Sequence, residues 1–261
     1  MKKKDSPKTP VIQLKFLLLG EDYVGKTAFL ERYIVKTFKS NYLATIGMDT
    51  RLKRLEINNT DVDLYITDTA GQERFRSLTK MFFKANYGFI LLFNLTRKKT
   101  FEQVSYWIEQ IENNKSKDYP IHSVLVGNFC DKKEDIEVKE EDIKIIQDKY
   151  NIKYFEVSSK DGTNIDAVFE YLTKITLKSR GLLNKIGLDD NASLDDIKII
   201  ESENQKNEFK KIPRKKKKGF LEKIGIFFKS HNNENNENKK KMKYKILCNL
   251  INILNFSSIF N

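Results

Sequence analysis

The chain has 261 residues, 39% of them hydrophobic and 32% charged, with a formal net charge of +12. That length suits one large domain or one domain with tails, and the balance of apolar and charged residues suggests a packed core with a solvated appendage. The basicity is local: from Gln205 to Lys245, fifteen Lys or Arg stand against four Asp or Glu, a net of +11, so the remainder is close to neutral. The two cysteines, Cys130 and Cys248, match no metal-ligand spacing and imply no disulfide framework, which suits a reducing compartment.

After a basic N-terminal extension (1–10), "VIQLKFLLLG" is broken by Gln13 and Lys15 and lacks a cleavage site, so it reads as a first buried strand and not a signal peptide. "KTAFLERYIV" has helical spacing. "DTRLKRLEI" and "DVDLYITD" alternate as strands, with "NNT" as the hairpin turn between them. "GFILLFNLT" is a second buried strand. "TFEQVSYWIEQI" places Phe101, Val104, Ile108 and Ile111 on one helical face. "SVLVGN" is a third buried strand, "EEDIKIIQDKY" a helix, "KYFEVSS" a strand and "NIDAVFEYLTKI" a closing helix. This alternation predicts an α/β, doubly wound, mostly parallel six-stranded sheet with one antiparallel edge strand and helices on both faces. The domain is expected over 11–178. Residues 179–261 are expected to form a basic, largely disordered tail with short amphipathic segments. No run reaches the roughly 20 apolar residues of a spanning helix.

Five short stretches carry chemistry. "GEDYVGKT" (20–27) matches G-x-x-x-x-G-K-[ST] between a buried strand and a helix, the context of a phosphate loop. Gly20, Asp22, Tyr23, Val24, Gly25 and, opening the helix, Ala28 would line the phosphates. Lys26 would reach the outer ones, and Thr27 would offer a hydroxyl to Mg²⁺. In "DTAGQERF" (68–75), Asp68 is placed for the metal, Gly71 for a terminal phosphate and Gln72 for orienting water. Thr45, in "YLATIGMDT", would complete the metal's coordination only when a third phosphate is present, which makes its loop a switch. "GNFCD" and "VSSK" end two late strands. Asp131 suits the N1–H and amine of guanine, with Asn128, Phe129, Ser158, Ser159 and Lys160 around it. The Ser159 backbone N–H is expected at the guanine carbonyl.

Together these stretches resemble the Ras superfamily of small GTPases, and "TIGMDT", "TDTAGQERFRSLT" and "FFKANYG" resemble its Rab family. The likeness covers about residues 11–177. It implies a P-loop NTPase fold, slow GTP hydrolysis with Mg²⁺ as cofactor and GTP or GDP as ligand, and Phe38 edge-on near the base. It also implies a role in vesicle traffic. Expected partners are an exchange factor, a GTPase-activating protein and effectors, for a monomer peripheral on the cytosolic face of an endomembrane. The chain departs from the pattern at four positions. Phe129 replaces the Lys of the family's base motif N-K-x-D, and Tyr23 stands where relatives usually carry Gly; either aromatic packing between the two replaces the Lys tether, or the two changes are independent and the site binds more weakly. Asp22 occupies a place usually held by a small residue, which favours slow turnover. Thr67 replaces a common Trp before Asp68. The chain ends "SSIFN" without a terminal prenylation cysteine. The run 214–218 beside "FLEKIGIFFK" offers an anionic membrane surface another means of attachment. The rival reading is a nucleotide-locked scaffold with little or no hydrolysis. A nucleic-acid-binding role rests on the tail alone and finds no reading module in the folded part.

Overall fold

The computed structural model describes residues 11–38, 48–69 and 83–200, all within one compact unit. Its strands are β1 (Ile12–Leu19), β2 (Met48–Ile57), β3 (Thr60–Thr69), β4 (Gly88–Asn94), β5 (His122–Asn128), β6 (Lys153–Val157) and β7 (Ile199–Ile200). They form one sheet in the order β6-β5-β4-β1-β3-β2-β7. Pairing is parallel from β6 to β3, whereas β2 runs antiparallel to both β3 and β7. The helices are α1 (Lys26–Val35), α2 (Lys98–Glu102), α3 (Val104–Asn114), α4 (Glu140–Tyr150) and α5 (Ile165–Ser179).

The continuous apolar strands are buried on both faces. Leu14, Phe16 and Leu18 of β1 share a core with Phe29, Tyr33 and Phe169 from α1 and α5. Leu17 and Leu19 point the other way, into a core with Trp107, Ile111 and Ile143 from α3 and α4. Period-two alternation with no polar face is what covering by helices on both sides requires. Each fully buried Phe or Leu is worth about 1.5–3 kcal/mol relative to exposure. The α1–α5 contact is aromatic: the Tyr33 and Phe169 rings stack at 11° with centroids 3.6 Å apart.

The hairpin of β2 and β3 closes through Asn58 and Asn59, at φ 48 and 62. A two-residue turn with both central residues left-handed is the kind asparagine tolerates. Arg54 pairs with Asp63 directly opposite it, Nε to Oδ1 at 2.6 Å and Nη2 to Oδ2 at 3.0 Å, and so pins the register. The expected helix over 100–111 is interrupted at Gln103, between α2 and α3.

Two expectations are corrected. The sheet has seven strands and not six, because β7 pairs outside β2, with Ile200 opposite Glu56 and Ile199 opposite Ile57. The folded part also continues past Lys178. Leu183, Ile186 and Ile197 are each 1% exposed and join the core beside α1 and α5. The segment closes on the hairpin turn: Asn58 N–H donates to Lys198 O at 3.1 Å, and Lys198 N–H donates to Asn58 Oδ1 at 2.9 Å. The expected tail from Glu201 onward lies outside the described residues.

Candidate functional site

The site grows from the carboxyl end of β1. Leu19 leads into Gly20, whose φ of +140 and neighbour Leu92 O leave no room for a Cβ. Gly25 takes φ +84 at the entry to α1, where a Cβ would meet Asn128 Nδ2 at 2.6 Å. The loop between them wraps Lys26, which is 6% exposed and donates from Nζ to Gly20 O at 2.9 Å and Glu21 O at 2.8 Å. Burial lowers its pKa to about 8, and the carboxylates of Asp68, Asp22 and Glu21 oppose that shift.

Parallel pairing of β3 with β1 brings Asp68 beside the first turn of α1. Thr27 Oγ1 donates to Asp68 Oδ2 at 2.6 Å. Burial pushes the Asp68 carboxyl up to about 6, against the Thr27 hydrogen bond and the Lys26 charge. Its other oxygen, Oδ1, is buried with no hydrogen-bond partner among the described residues. An orphaned carboxylate oxygen is expensive to bury. Beside a hydroxyl it makes a pair of hard oxygen donors that fits Mg²⁺.

At the next strand ends, β5 and β6 pair Asn128 with Val157. Asn128 is fully buried and ties three loops together. Its Nδ2 donates to Val24 O at 2.9 Å, and its Oδ1 accepts from Phe129 N at 2.9 Å and from Ser159 N and Oγ at 3.1 Å. The Ser159 N–H expected at the guanine carbonyl therefore serves Asn128. Ser158 Oγ donates to Asp131 Oδ1 at 2.8 Å and accepts from the backbone of Lys160 and Asp161. Lys160 Nζ stands 3.9 Å from Asp131 Oδ2, a long pair between an exposed ammonium and a largely buried carboxylate.

The two aromatic departures from the family pattern fall on left-handed backbone, Tyr23 at φ 62 and Phe129 at φ 75. For bulky side chains that conformation costs about 1–2 kcal/mol each. The Phe129 ring edge lies 3.6 Å from the position of a Cβ on Gly25, so it does cover the phosphate loop. The Tyr23 ring is 59% exposed, with the Arg97 guanidinium 5.3 Å from its centroid. The packing partner shown for Tyr23 is thus Arg97, and the expected Tyr23–Phe129 packing is not among the described contacts.

Gly20, Asp22, Tyr23, Val24, Gly25, Lys26, Thr27 and Ala28 share one loop and helix start, and Asp68, Asn128, Phe129, Asp131, Ser158, Ser159 and Lys160 gather around it at neighbouring strand ends. Phe38, 42% exposed, follows α1 at the edge of the described chain. Thr45, Gly71 and Gln72 lie outside the described residues. Three further contributors carry no local signature: Asn94 Nδ2 donates to Tyr23 O at 3.4 Å, Trp107 Nε1 donates to Glu21 Oε1 at 3.0 Å, and Arg97 sits over Tyr23. The one available hint is that Asn94 ends β4, a strand whose carboxyl end opens on the same crevice.

The family model described as "Ras family" matches residues 15–178. Ras-related protein Rab-13 of Rattus norvegicus is 34% identical over 191 residues, which is 73% of this chain and 92% of that protein. Ras-related protein Rab-27A is 42% identical in Canis lupus familiaris and 41% in Homo sapiens, each over 175 residues, or 63% of this chain and 79% of the relative. With the match running through nearly all of the described domain, the chain belongs to the Ras superfamily as a small GTPase of its Rab family.

Proposed function

We propose that the chain is a Mg²⁺-dependent GTP-binding switch that hydrolyses GTP slowly and regulates vesicle traffic. The observation that carries this reading is the buried pairing of Asp68 with Thr27, with one carboxylate oxygen left open beside Lys26. A buried carboxylate oxygen without a partner costs more than packing alone returns. Thr27, Asp68 and, by family likeness, Thr45 would hold Mg²⁺, which when bound neutralises charge on the phosphates.

The chain's own groups do the rest. The backbone N–H groups from Tyr23 to Ala28, at the start of α1, face the phosphates. Lys26 exchanges its carbonyl partners for phosphate oxygens and stabilises their charge. Asp131, steered by Ser158, accepts from the guanine N1–H and amine and so disfavours adenine. Asn128 holds the base loops against the phosphate loop. Gln72, by likeness, orients the water that attacks the terminal phosphorus as the bond to the β-phosphate oxygen breaks, giving GDP and phosphate. Gly71 and Thr45 release their loops once that phosphate has gone. Asp22, whose carboxylate lies close enough to act on Lys26, slows the step and crowds an arginine supplied in trans.

An exchange factor, a GTPase-activating protein and effectors are the partners this reading calls for. No helix among the described residues is long and apolar enough to cross a membrane. Attachment to an anionic endomembrane surface is assigned to the basic run 214–218, and specific nucleic-acid binding to none of the chain.

Single-turnover hydrolysis of bound GTP tests the reading. Phosphate release above the no-protein rate, lost in Gln72→Leu, supports it. Tight GTP binding with no release above that rate replaces it with the nucleotide-locked scaffold.

A further inference from the structure

The phosphate loop of this chain is poorly charged for holding a polyanion. Glu21 and Asp22 stand against a single ammonium, that of Lys26, which the loop's own carbonyls engage. Two aromatic rings frame the loop, both on left-handed backbone, and each carries a cation. The Arg97 guanidinium lies 5.3 Å from the Tyr23 centroid, and the Lys132 ammonium lies 6.0 Å from that of Phe129.

The backbone of each cationic residue is tied toward its ring, Arg97 through Asn94 and Lys132 directly to Phe129. Arg97 N–H donates to Asn94 O at 3.0 Å, and the same Asn94 donates from Nδ2 to Tyr23 O. Arg97 O accepts from Thr100 N and Oγ1, at 2.9 and 2.8 Å. On the other side, Lys132 N–H donates to Phe129 O at 3.1 Å. The two strand ends, β4 and β5, thus each present a cation on an aromatic platform at the mouth of one crevice.

We propose that Arg97 on Tyr23, seconded by Lys132 on Phe129, forms a cationic collar that retains the anionic nucleotide. It would take over the charge that a buried ammonium in the base motif would supply. Arg97 is here a positioning residue, held by the Tyr23 ring at the rim and not inside the pocket. The inference rests on the nucleotide-binding reading above.

Its signature follows from exposure. Rim cations are screened by salt, whereas a buried ammonium is not. In the full-length chain loaded with a fluorescent GDP, release quickens by about fivefold between about 50 and about 500 mM salt. Arg97→Ala releases GDP about three- to tenfold faster at low salt, with a shallower salt dependence, while its melting temperature stays at the parent value. Tyr23→Phe, which keeps the ring, preserves this response to Arg97→Ala, and Tyr23→Gly abolishes it. Lys132→Ala flattens the remaining salt dependence. A parent release rate indifferent to salt overturns the collar, as does an Arg97→Ala effect undiminished in the Tyr23→Gly background. Those results leave the nucleotide-binding reading standing, whereas a parent chain that retains no GDP at any salt overturns both.

Discussion

At the scale of single residues, Asn128 does more than its position in a base motif suggests. It is fully buried, and its amide meets Val24 O, Phe129 N and both donors of Ser159. Replacing it orphans several buried groups at once, each worth about 1–3 kcal/mol. Asn128→Ala should therefore lose about 2–4 kcal/mol in urea unfolding and weaken GDP binding in parallel. A variant of parental stability that binds GDP poorly would instead confine Asn128 to ligand contact. Asp68 is the second test, since its open oxygen is the feature that fits a divalent ion. Chelation by EDTA should speed GDP release at least about tenfold in the parent and leave Asp68→Asn nearly unaffected.

The residues of this site divide cleanly in how they can be read from sequence. Gly25, Lys26 and Thr27 follow from local spacing, because strand, loop and helix are contiguous there, and Asp68 follows from its own motif at the end of β3. Arg97, Asn94 and Trp107 reach the phosphate loop from more than 70 positions away. No spacing rule encodes such a contact. The Ser159 N–H shows a different limit: its donor was legible, but the competing acceptor on Asn128 exists only once β5 and β6 are side by side.

At the scale of elements, the segment after α5 changes what counts as the domain. Leu183, Ile186 and Ile197 bury as completely as the strand residues, and Ile199 and Ile200 extend the sheet beyond β2. In sequence this segment reads "GLLNKIGLDDNASLDDIKII", with apolar residues too sparse among Asp and Asn to show a period. Its structure comes from docking onto α5 and the hairpin, a tertiary effect that local pattern does not report. By contrast β1, β4 and β5 announced themselves as apolar runs, and the Asn58–Asn59 turn was legible from residue type. Ile197→Ala is expected to cost about 2–4 kcal/mol, measured by denaturant midpoint. A chain truncated after Lys178 should unfold at lower denaturant than one truncated after Ile200. Equal midpoints would make the segment a bystander. Because β2 and β3 run from Met48 to Thr69, this segment braces the hairpin that links the two proposed switch regions.

At the scale of the whole molecule, a sheet buried on both faces leaves its carboxyl edge as the place where loops meet, and five strand ends supply the site there. The basic charge lies almost wholly in the stretch 205–245, so the net +12 describes that stretch and not the pocket. The cores beside α1–α5 and α3–α4 hold the frame, and main-chain amides, Lys26 and Asp68 are the groups proposed to grip the ligand. The central claim is that this grip selects a guanine nucleotide. The direct measurement is to denature the purified full-length chain and identify what it releases by chromatography. The account predicts close to one GDP or GTP per chain, displaced by added GDP and not by an equal concentration of ATP. A chain that comes out empty and takes up ATP as readily as GTP would contradict it.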